Sequence, residues 1–138
     1  MPEFRLDPIF TPAADQPGNQ RMMRGYLNTT DTSVTTVTVA GLALRSWDVY
    51  VYMDGDNGSL TRTAAYRISG AGITTTSVNA TDSANTSFTA TFTPASNSAG
   101  NYVKFTVTAA GFTITATPGT STGTRRAPLN AIQIVPLP

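Results

Sequence analysis

Short runs in which apolar and polar residues alternate recur along the chain, with turn-forming residues between them. Residues 47–53 and 101–108 show the alternation most clearly. Successive side chains of a β-strand point to opposite faces, whereas a helix brings every third or fourth residue together. The pattern therefore predicts strands and no long helix. The expected fold is an all-β, antiparallel β-sandwich, jelly-roll-like, of about eight or nine strands.

The turn residues divide the chain into predicted strands. These strands cover residues 22–27, 33–39, 47–53, 63–68, 87–92, 101–108, 112–117 and 130–135, with a weaker one at 73–78. Strand parity also assigns a core. The expected core residues are Trp47, Val49, Val51, Phe88 or Phe92, Val103, Phe105, Phe112, Ile114, Ile132 and Ile134.

The chain length fits one domain. Residues 1–20 are predicted to be an irregular lead-in, because Pro8, Pro12 and Pro17 oppose helix. Residues 21–138 are expected to form the single sandwich domain. Glu3-Phe4 is a dipeptide that cloning sites commonly encode, so part of the lead-in is expected to be vector-derived.

The amino-acid composition argues against some classes of binding partner. Charged residues make up 12% of the chain and the formal net charge is +1, so no basic field attracts nucleic acid or a membrane surface. No apolar run reaches the length of a membrane span, and no signal peptide is recognisable. A chain without Cys that is rich in Thr, Asn and Gly suits secreted bacterial proteins, so we expect an extracellular location.

Catalytic side chains are scarce in this sequence. There is no His or Cys, and Glu3 is the only Glu. The serines therefore have no His base, and the paired carboxylates of a glycosidase are not evident. Zinc and transition metals lack their usual ligands as well. We expect that the protein is not an enzyme.

Three segments, residues 21–27, 47–58 and 124–135, carry a family resemblance. Together they resemble a β-sandwich accessory domain of large secreted proteins from environmental bacteria. Residues 48–52 and 129–134 are more distantly similar to the central strands of malectin-like and galactose-binding-like jelly rolls. Many of those are carbohydrate-binding modules. The resemblance implies non-catalytic polysaccharide binding and flanking domains in a larger secreted protein.

Tyr50 and Tyr52 lie on the strand face opposite the expected core, and Tyr102 on a neighbouring strand could extend that surface. Alternate residues of one strand face are about 7 Å apart, which is comparable to the spacing of successive sugar rings. Aromatic faces bury the C–H faces of sugars with little loss of entropy. The alternative is that the tyrosines pack beneath a covering loop or the N-terminal segment.

The segment from Asp54 to Gly58 concentrates oxygen ligands at a strand end, in Asp54, Asp56 and Asn57. Two aspartates at this spacing resemble the opening of a calcium loop, but Ala65 stands where an EF-hand requires Glu. Three interpretations stay open. They are a hairpin turn with positive φ at Asn57-Gly58, a calcium site of another kind at Asp54 and Asp56, and direct sugar contact.

Four arginines, Arg62, Arg67, Arg125 and Arg126, stand out in a chain with few charges, and Arg62, Arg125 and Arg126 are the candidate ligand-binding residues among them. A guanidinium can hold the carboxylate of an acidic sugar with two parallel hydrogen bonds. The alternative is a structural ion pair with Asp48, Asp54 or Asp56. The favoured pair would tie the loop 54–59 to Arg125 or Arg126.

A structural role is the rival to carbohydrate binding. A neutral, Thr-rich surface also suits a structural or adhesive spacer, or a fibre module of an extracellular or virion surface protein. In that case the segment 1–20 could complete a neighbour's sheet by strand addition, so self-association is a further expectation.

Overall fold

The computed structural model describes residues 3–6, by their backbone, and residues 18–138. Their elements are β1 (Glu3–Leu6), α1 (Gly18–Met22), β2 (Gly25–Asn28), β3 (Thr35–Val39), β4 (Arg45–Tyr52), β5 (Arg62–Ser69), β6 (Thr76–Asp82), β7 (Ser98–Ala99), β8 (Tyr102–Ala109), β9 (Phe112–Ser121) and β10 (Ala131–Pro136). Within these ranges α1, of five residues, is the only helix, so no described helix is long and apolar enough to cross a membrane.

Two sheets form a sandwich with jelly-roll topology. One sheet has the order β10-β4-β8, and the other has the order β3-β9-β5-β6-β7. A pair of backbone hydrogen bonds between Leu27 and Leu129, each of 2.9 Å, places β2 beside the residues that lead into β10. The first sheet thus continues as β2-β10-β4-β8, and it faces β3-β9-β5-β6. This is the strand order of a jelly roll, so the predicted fold class is confirmed.

The hydrophobic core lies between the two sheets. β4 and β8 pair with Val49 opposite Phe105 and Val51 opposite Val103, and all four side chains are buried. Phe112 and Ile114 of β9 are buried on the facing sheet, as predicted. The remaining expected core residues, Trp47, Ile132 and Ile134, are partly buried and pack against the core.

The predicted strand at residues 87–92 is wrong. Residues 83–97 form a loop between β6 and β7, and Asn85, Ala90 and Asn97 in it have positive φ. A strand cannot continue through such conformations. Phe88 and Phe92 are therefore absent from the core cluster, and both are only partly buried.

Several other boundaries differ from the sequence prediction. Met22 ends α1, so the strand predicted from residue 22 begins instead at Gly25. The weak strand predicted at 73–78 is displaced along the chain and appears as β6. Within the expected lead-in, β1 pairs antiparallel with β2. Pro8, Pro12 and Pro17 lie outside the described residues.

Candidate functional site

Five aromatic side chains form a continuous row on the outside of the sheet that contains β4 and β8. We call them the aromatic row. The ring centroids are separated by 4.9 Å (Phe88–Phe92), 5.2 Å (Phe92–Tyr52), 5.9 Å (Tyr52–Tyr102) and 6.0 Å (Tyr102–Tyr50). The predicted grouping of the three tyrosines therefore exists, and the loop 83–97 lengthens it by two phenylalanines.

Strand register explains the middle of the row. Tyr52 of β4 is directly opposite Tyr102 of β8, and Tyr50 is opposite Lys104. Neighbouring rings are tilted by 44° to 64°, so the row offers individual ring faces and no single flat platform. A stacked sugar would therefore use one ring at a time.

The loop 83–97 covers Tyr52 in part, which is the alternative that the sequence left open. The ring of Phe92 contacts Tyr52 edge to face, and the Tyr52 hydroxyl donates a 2.8 Å hydrogen bond to Oε1 of Gln133. Burial raises the pKa of Tyr52, and its neighbours Tyr50 and Tyr102 add to the shift. Tyr52 therefore contributes to the structure and is only partly exposed.

The Tyr50 end of the row carries an ion pair. Nζ of Lys104 lies 2.8 Å from Oδ2 of Asp48 and 5.6 Å from the Tyr50 ring centroid. Thr106 donates a 2.6 Å hydrogen bond to Asp48. Both hydrogen bonds lower the pKa of Asp48, and the one from Lys104 has the larger effect. The charge of Lys104 is thus balanced by a carboxylate on the adjacent strand.

The Phe88 end of the row opens into a groove of about 630 Å³, bounded by Met53, Asp54, the end of β6, the loop 83–97 and Asn101. Many of its lining residues carry hydroxyl or amide groups, including Thr81, Ser83, Asn85, Thr86, Thr93 and Asn101. Phe88 belongs to both the groove and the aromatic row. An apolar ring therefore adjoins a surface that can both donate and accept hydrogen bonds.

Asn101 holds the loop that forms one wall of this groove. Its Nδ2 donates to the carbonyl of Thr91 at 2.9 Å, and its Oδ1 accepts from the backbone N–H of Thr93 at 2.8 Å. The neighbouring Gly100 is required by close packing, because a Cβ there would lie 2.7 Å from the carbonyl of Thr93. The wall is therefore fixed by specific contacts.

Asp82 lines both the groove and a small neighbouring cavity of about 10 Å³. It accepts a 3.4 Å hydrogen bond from the backbone N–H of Gly55 and a 3.5 Å bond from the Thr86 hydroxyl. Burial raises its pKa to about 6. Asp82 thus joins the loop 54–59 to the loop 83–97.

The loop 54–59 is held by side chains from distant segments. Oδ1 of Asn130 accepts from the Asp54 N–H at 2.6 Å, and its Nδ2 donates to the Asp54 carbonyl at 3.0 Å. Asn57 is only 4% exposed, and its amide donates to the carbonyls of Leu60, Asp82 and Ser83. Asn57 therefore stabilises the loop from within.

The backbone of the loop agrees in part with the predicted turn. Gly58 has a positive φ of 51°, as expected, whereas Asn57 is not among the residues with positive φ. The carbonyl of Asp56 accepts a 3.1 Å hydrogen bond from Arg62, whose guanidinium also donates to Thr124. Arg62 thus ties the loop to the segment before β10.

The predicted ion pair between the loop 54–59 and Arg125 or Arg126 is wrong. Arg126 lies 3.3 Å from Oδ1 of Asp31, and the backbone N–H of Arg125 donates to the same oxygen. The reason is that residues 125–127 run beside residues 29–31, where Ala127 also donates to the Thr29 hydroxyl at 3.0 Å. Arg125 and Arg126 are therefore not brought to the groove.

Metal binding at Asp54 and Asp56 stays a prediction. Among the described residues, no group of three or more His, Cys, Asp or Glu side chains is gathered closely enough to hold a metal ion. Asp54 lines the groove, whereas Asp56 is exposed and is not among the lining residues. The carbonyl of Asp56 is engaged by the Arg62 cation, which disfavours a second cation there.

Comparison with known proteins does not assign this chain to a family. No protein-family model matches the chain, and the curated proteins contain no significant match to it. The resemblance to secreted bacterial accessory domains therefore stays a prediction. The jelly-roll fold is shown by the strand order alone.

Sequence reasoning missed Phe88, Phe92, Asp82 and Asn101 as members of the site. The alternation of residues 87–92 matched a strand and concealed the loop. The run of Ser, Thr and Asn through residues 81–97 was the signal that could have indicated a polar, hydrogen-bonding loop.

Proposed function

We propose that the protein is a non-catalytic carbohydrate-binding module whose site is the groove with the adjoining Phe88 end of the aromatic row. The proposal is supported above all by the position of Phe88, which belongs both to the aromatic row and to the groove lining. Its ring stands at the end of the row and also lines the hydroxyl-rich and amide-rich groove. Sugars need both kinds of surface, because they have apolar C–H faces and polar edges.

In this proposal the ring of Phe88 supplies most of the affinity, and the polar lining selects the hydroxyl geometry. The Thr and Ser hydroxyls that line the groove can both donate to and accept from sugar hydroxyls. The tyrosines of the aromatic row would support a longer oligosaccharide. One stacked ring with a few hydrogen bonds gives weak binding, with a dissociation constant on the order of 0.01–1 mM.

The test is a glycan array followed by calorimetry on the variants Phe88→Ala, Tyr102→Ala and Leu44→Ala. Leu44 is a matched control, because it is a large apolar side chain that is 76% exposed and does not line the groove. Phe88→Ala should weaken binding by roughly 1–3 kcal/mol, as for other aromatic anchors. Tyr102→Ala should have a smaller effect, and Leu44→Ala none.

The proposal fails if the wild-type protein binds no glycan, or if Phe88→Ala binds as tightly as Leu44→Ala while both remain folded by circular dichroism. A structural or adhesive spacer then becomes the better description. Light scattering would test that alternative, since a fibre unit associates in a concentration-dependent way.

A further inference from the structure

We infer that two copies of this protein pair through the free edge of β8 and form a closed dimer with two-fold symmetry. This inference concerns an interaction surface and does not rest on the proposed function. β8 pairs with β4 on one side, and along residues 104–108 no described strand pairs with its other side. An open strand edge is a template for pairing with another chain.

The hydrogen bonds around the start of β8 show which backbone groups face this edge. The carbonyl of Asn101 accepts from Met53 on the β4 side, whereas the carbonyl of Tyr102 accepts from Ala95 on the opposite side at 2.8 Å. Backbone groups of consecutive residues alternate between the two sides of an antiparallel strand. The N–H and C=O groups that face the free edge therefore belong to three residues, Lys104, Thr106 and Thr108.

The space beside this edge is open. A groove of about 460 Å³ is lined by residues 104–108, by Ile68 and by residues between 72 and 78 of the facing sheet. Ile73 and Val78 in that wall are only partly buried. Proline and β-bulges, which block many strand edges, do not occur in Tyr102–Ala109. The edge is therefore accessible and is bordered by apolar side chains that a second copy would cover.

A lysine on an edge strand commonly opposes pairing, but Lys104 is balanced within its own sheet. Its Nζ lies 2.8 Å from Oδ2 of Asp48 on β4, so its charge is directed away from the free edge. Thr106 also donates to Asp48. A second copy that approaches the edge would therefore meet an ion pair and threonine methyl groups.

The edge is self-complementary in a single register. When Thr106 lies opposite Thr106 of the second copy, Lys104 lies opposite Thr108, so the three residues pair only with one another. Sliding the strands one way brings Thr108 opposite Tyr102, whose carbonyl is already occupied, and then sets Lys104 against Lys104, an unfavourable like-charge pair. Sliding them the other way brings Lys104 opposite Ala110, beyond the end of β8. Self-complementarity of this kind is what a two-fold interface requires.

The dimer would contain one continuous sheet with the strand order β10-β4-β8-β8-β4-β10. Residues directly opposite each other in an antiparallel pair point to the same face. Both aromatic rows would therefore lie on the same outer surface. If the proposed function holds as well, one polysaccharide chain could engage both copies, which raises the apparent affinity.

Sedimentation velocity measures this association in the wild-type protein. One short strand pair is a small interface, so we expect a monomer–dimer equilibrium with a dissociation constant on the order of 0.01–1 mM. Thr108→Pro removes an N–H from the edge, where proline is tolerated, and should weaken the dimer by roughly tenfold or more. Thr108→Ala removes the same hydroxyl but keeps the N–H, so it is the matched control and should dimerise like the wild type.

A cysteine at the centre of the interface tests the register. The chain contains no cysteine, and Thr106→Cys would bring two thiols together across the two-fold axis, within the distance that a disulfide spans. Oxidation with copper phenanthroline should then give a covalent dimer. Thr36→Cys, at an exposed position of β3 in the other sheet, should stay largely monomeric under the same conditions.

Each outcome decides the inference. A monomer at every concentration up to about 1 mM overturns it, and so does association that continues beyond two copies, which would indicate a fibre unit. A dimer that a folded Thr108→Pro variant leaves intact overturns the assignment to β8, as does equal cross-linking of the two cysteine variants. If Thr108→Pro does not fold by circular dichroism, the cross-linking comparison decides. Glycan binding is measured separately, so the proposed function and this inference can fail independently.

Discussion

Phe88 and Phe92 pack with their ring centroids 4.9 Å apart, and Ala90 between them has a φ of +67°. The left-handed conformation at Ala90 interrupts the strand-like alternation of this segment. For an L-residue with a side chain, such a conformation costs about 1–2 kcal/mol. The strain therefore lies in the loop that joins the groove to the aromatic row, which is where functional sites commonly store it.

Ala90→Gly should stabilise the protein, because glycine adopts positive φ without this cost. The greater flexibility of glycine in the unfolded chain offsets part of the gain, so we expect the free energy of unfolding to rise by about 0.5–1 kcal/mol. Chemical denaturation measures this. Ala84→Gly, in the same loop but without positive φ, should destabilise instead, and equal losses in both variants would contradict the strain at Ala90.

Asp82→Asn should change the pH dependence of stability. Burial raises the pKa of Asp82 from 3.8 to about 6, so the folded state holds its proton more tightly than the unfolded state. The associated stability, roughly 3 kcal/mol, is fully present below the unfolded pKa and is lost as the pH rises through the folded pKa.

Urea denaturation from acidic to neutral pH tests this. The wild-type protein should lose this stability between about pH 4 and pH 6, the window set by the two pKa values. Asp82→Asn should lack the decline and exceed the wild type at neutral pH. Asp56→Asn, at an exposed position in the adjoining loop, serves as the control. A decline that persists in Asp82→Asn would refute this assignment.

Asn130→Ala should destabilise the protein by roughly 2–4 kcal/mol, since it leaves several partly buried backbone groups without their side-chain partner. Nδ2 of Asn130 donates to the carbonyls of Met23, Gly25 and Asp54, and its Oδ1 accepts from the Asp54 N–H. Thermal denaturation gives the measurement. Gln133→Ala, three residues further along in β10, removes one exposed hydrogen bond and should cost less than about 1 kcal/mol. Similar losses in both variants would argue against the role of Asn130.

Calcium should leave the thermal midpoint unchanged, with or without a chelator. The carbonyl of Asp56 already accepts from Arg62 at 3.1 Å, and a divalent cation beside that guanidinium would be repelled. Differential scanning fluorimetry at increasing calcium concentration provides the measurement. A saturable rise in the midpoint that Asp54→Ala abolishes would contradict this expectation and support the calcium site predicted from the sequence.

The sequence by itself determined the fold class and the faces of the main strands. The side-chain period of two is a local property of an extended backbone, and it does not depend on which strand lies alongside. Alternation therefore placed Val49 and Phe105 inside and Tyr50 and Tyr102 outside, and the structure has them there. The buried Ile114 followed from the same rule.

The tertiary structure alone decided the groove and the partners of the charged residues. Residues 87–92 alternate like a strand, but the conformation at Ala90 and the hydrogen bonds from Asn101 make them a loop. Arg126 pairs with Asp31 because two segments far apart in sequence run side by side. Such contacts depend on long-range packing, which no local pattern encodes, and for that reason Phe88 could be found beside Asp54 only in the folded chain.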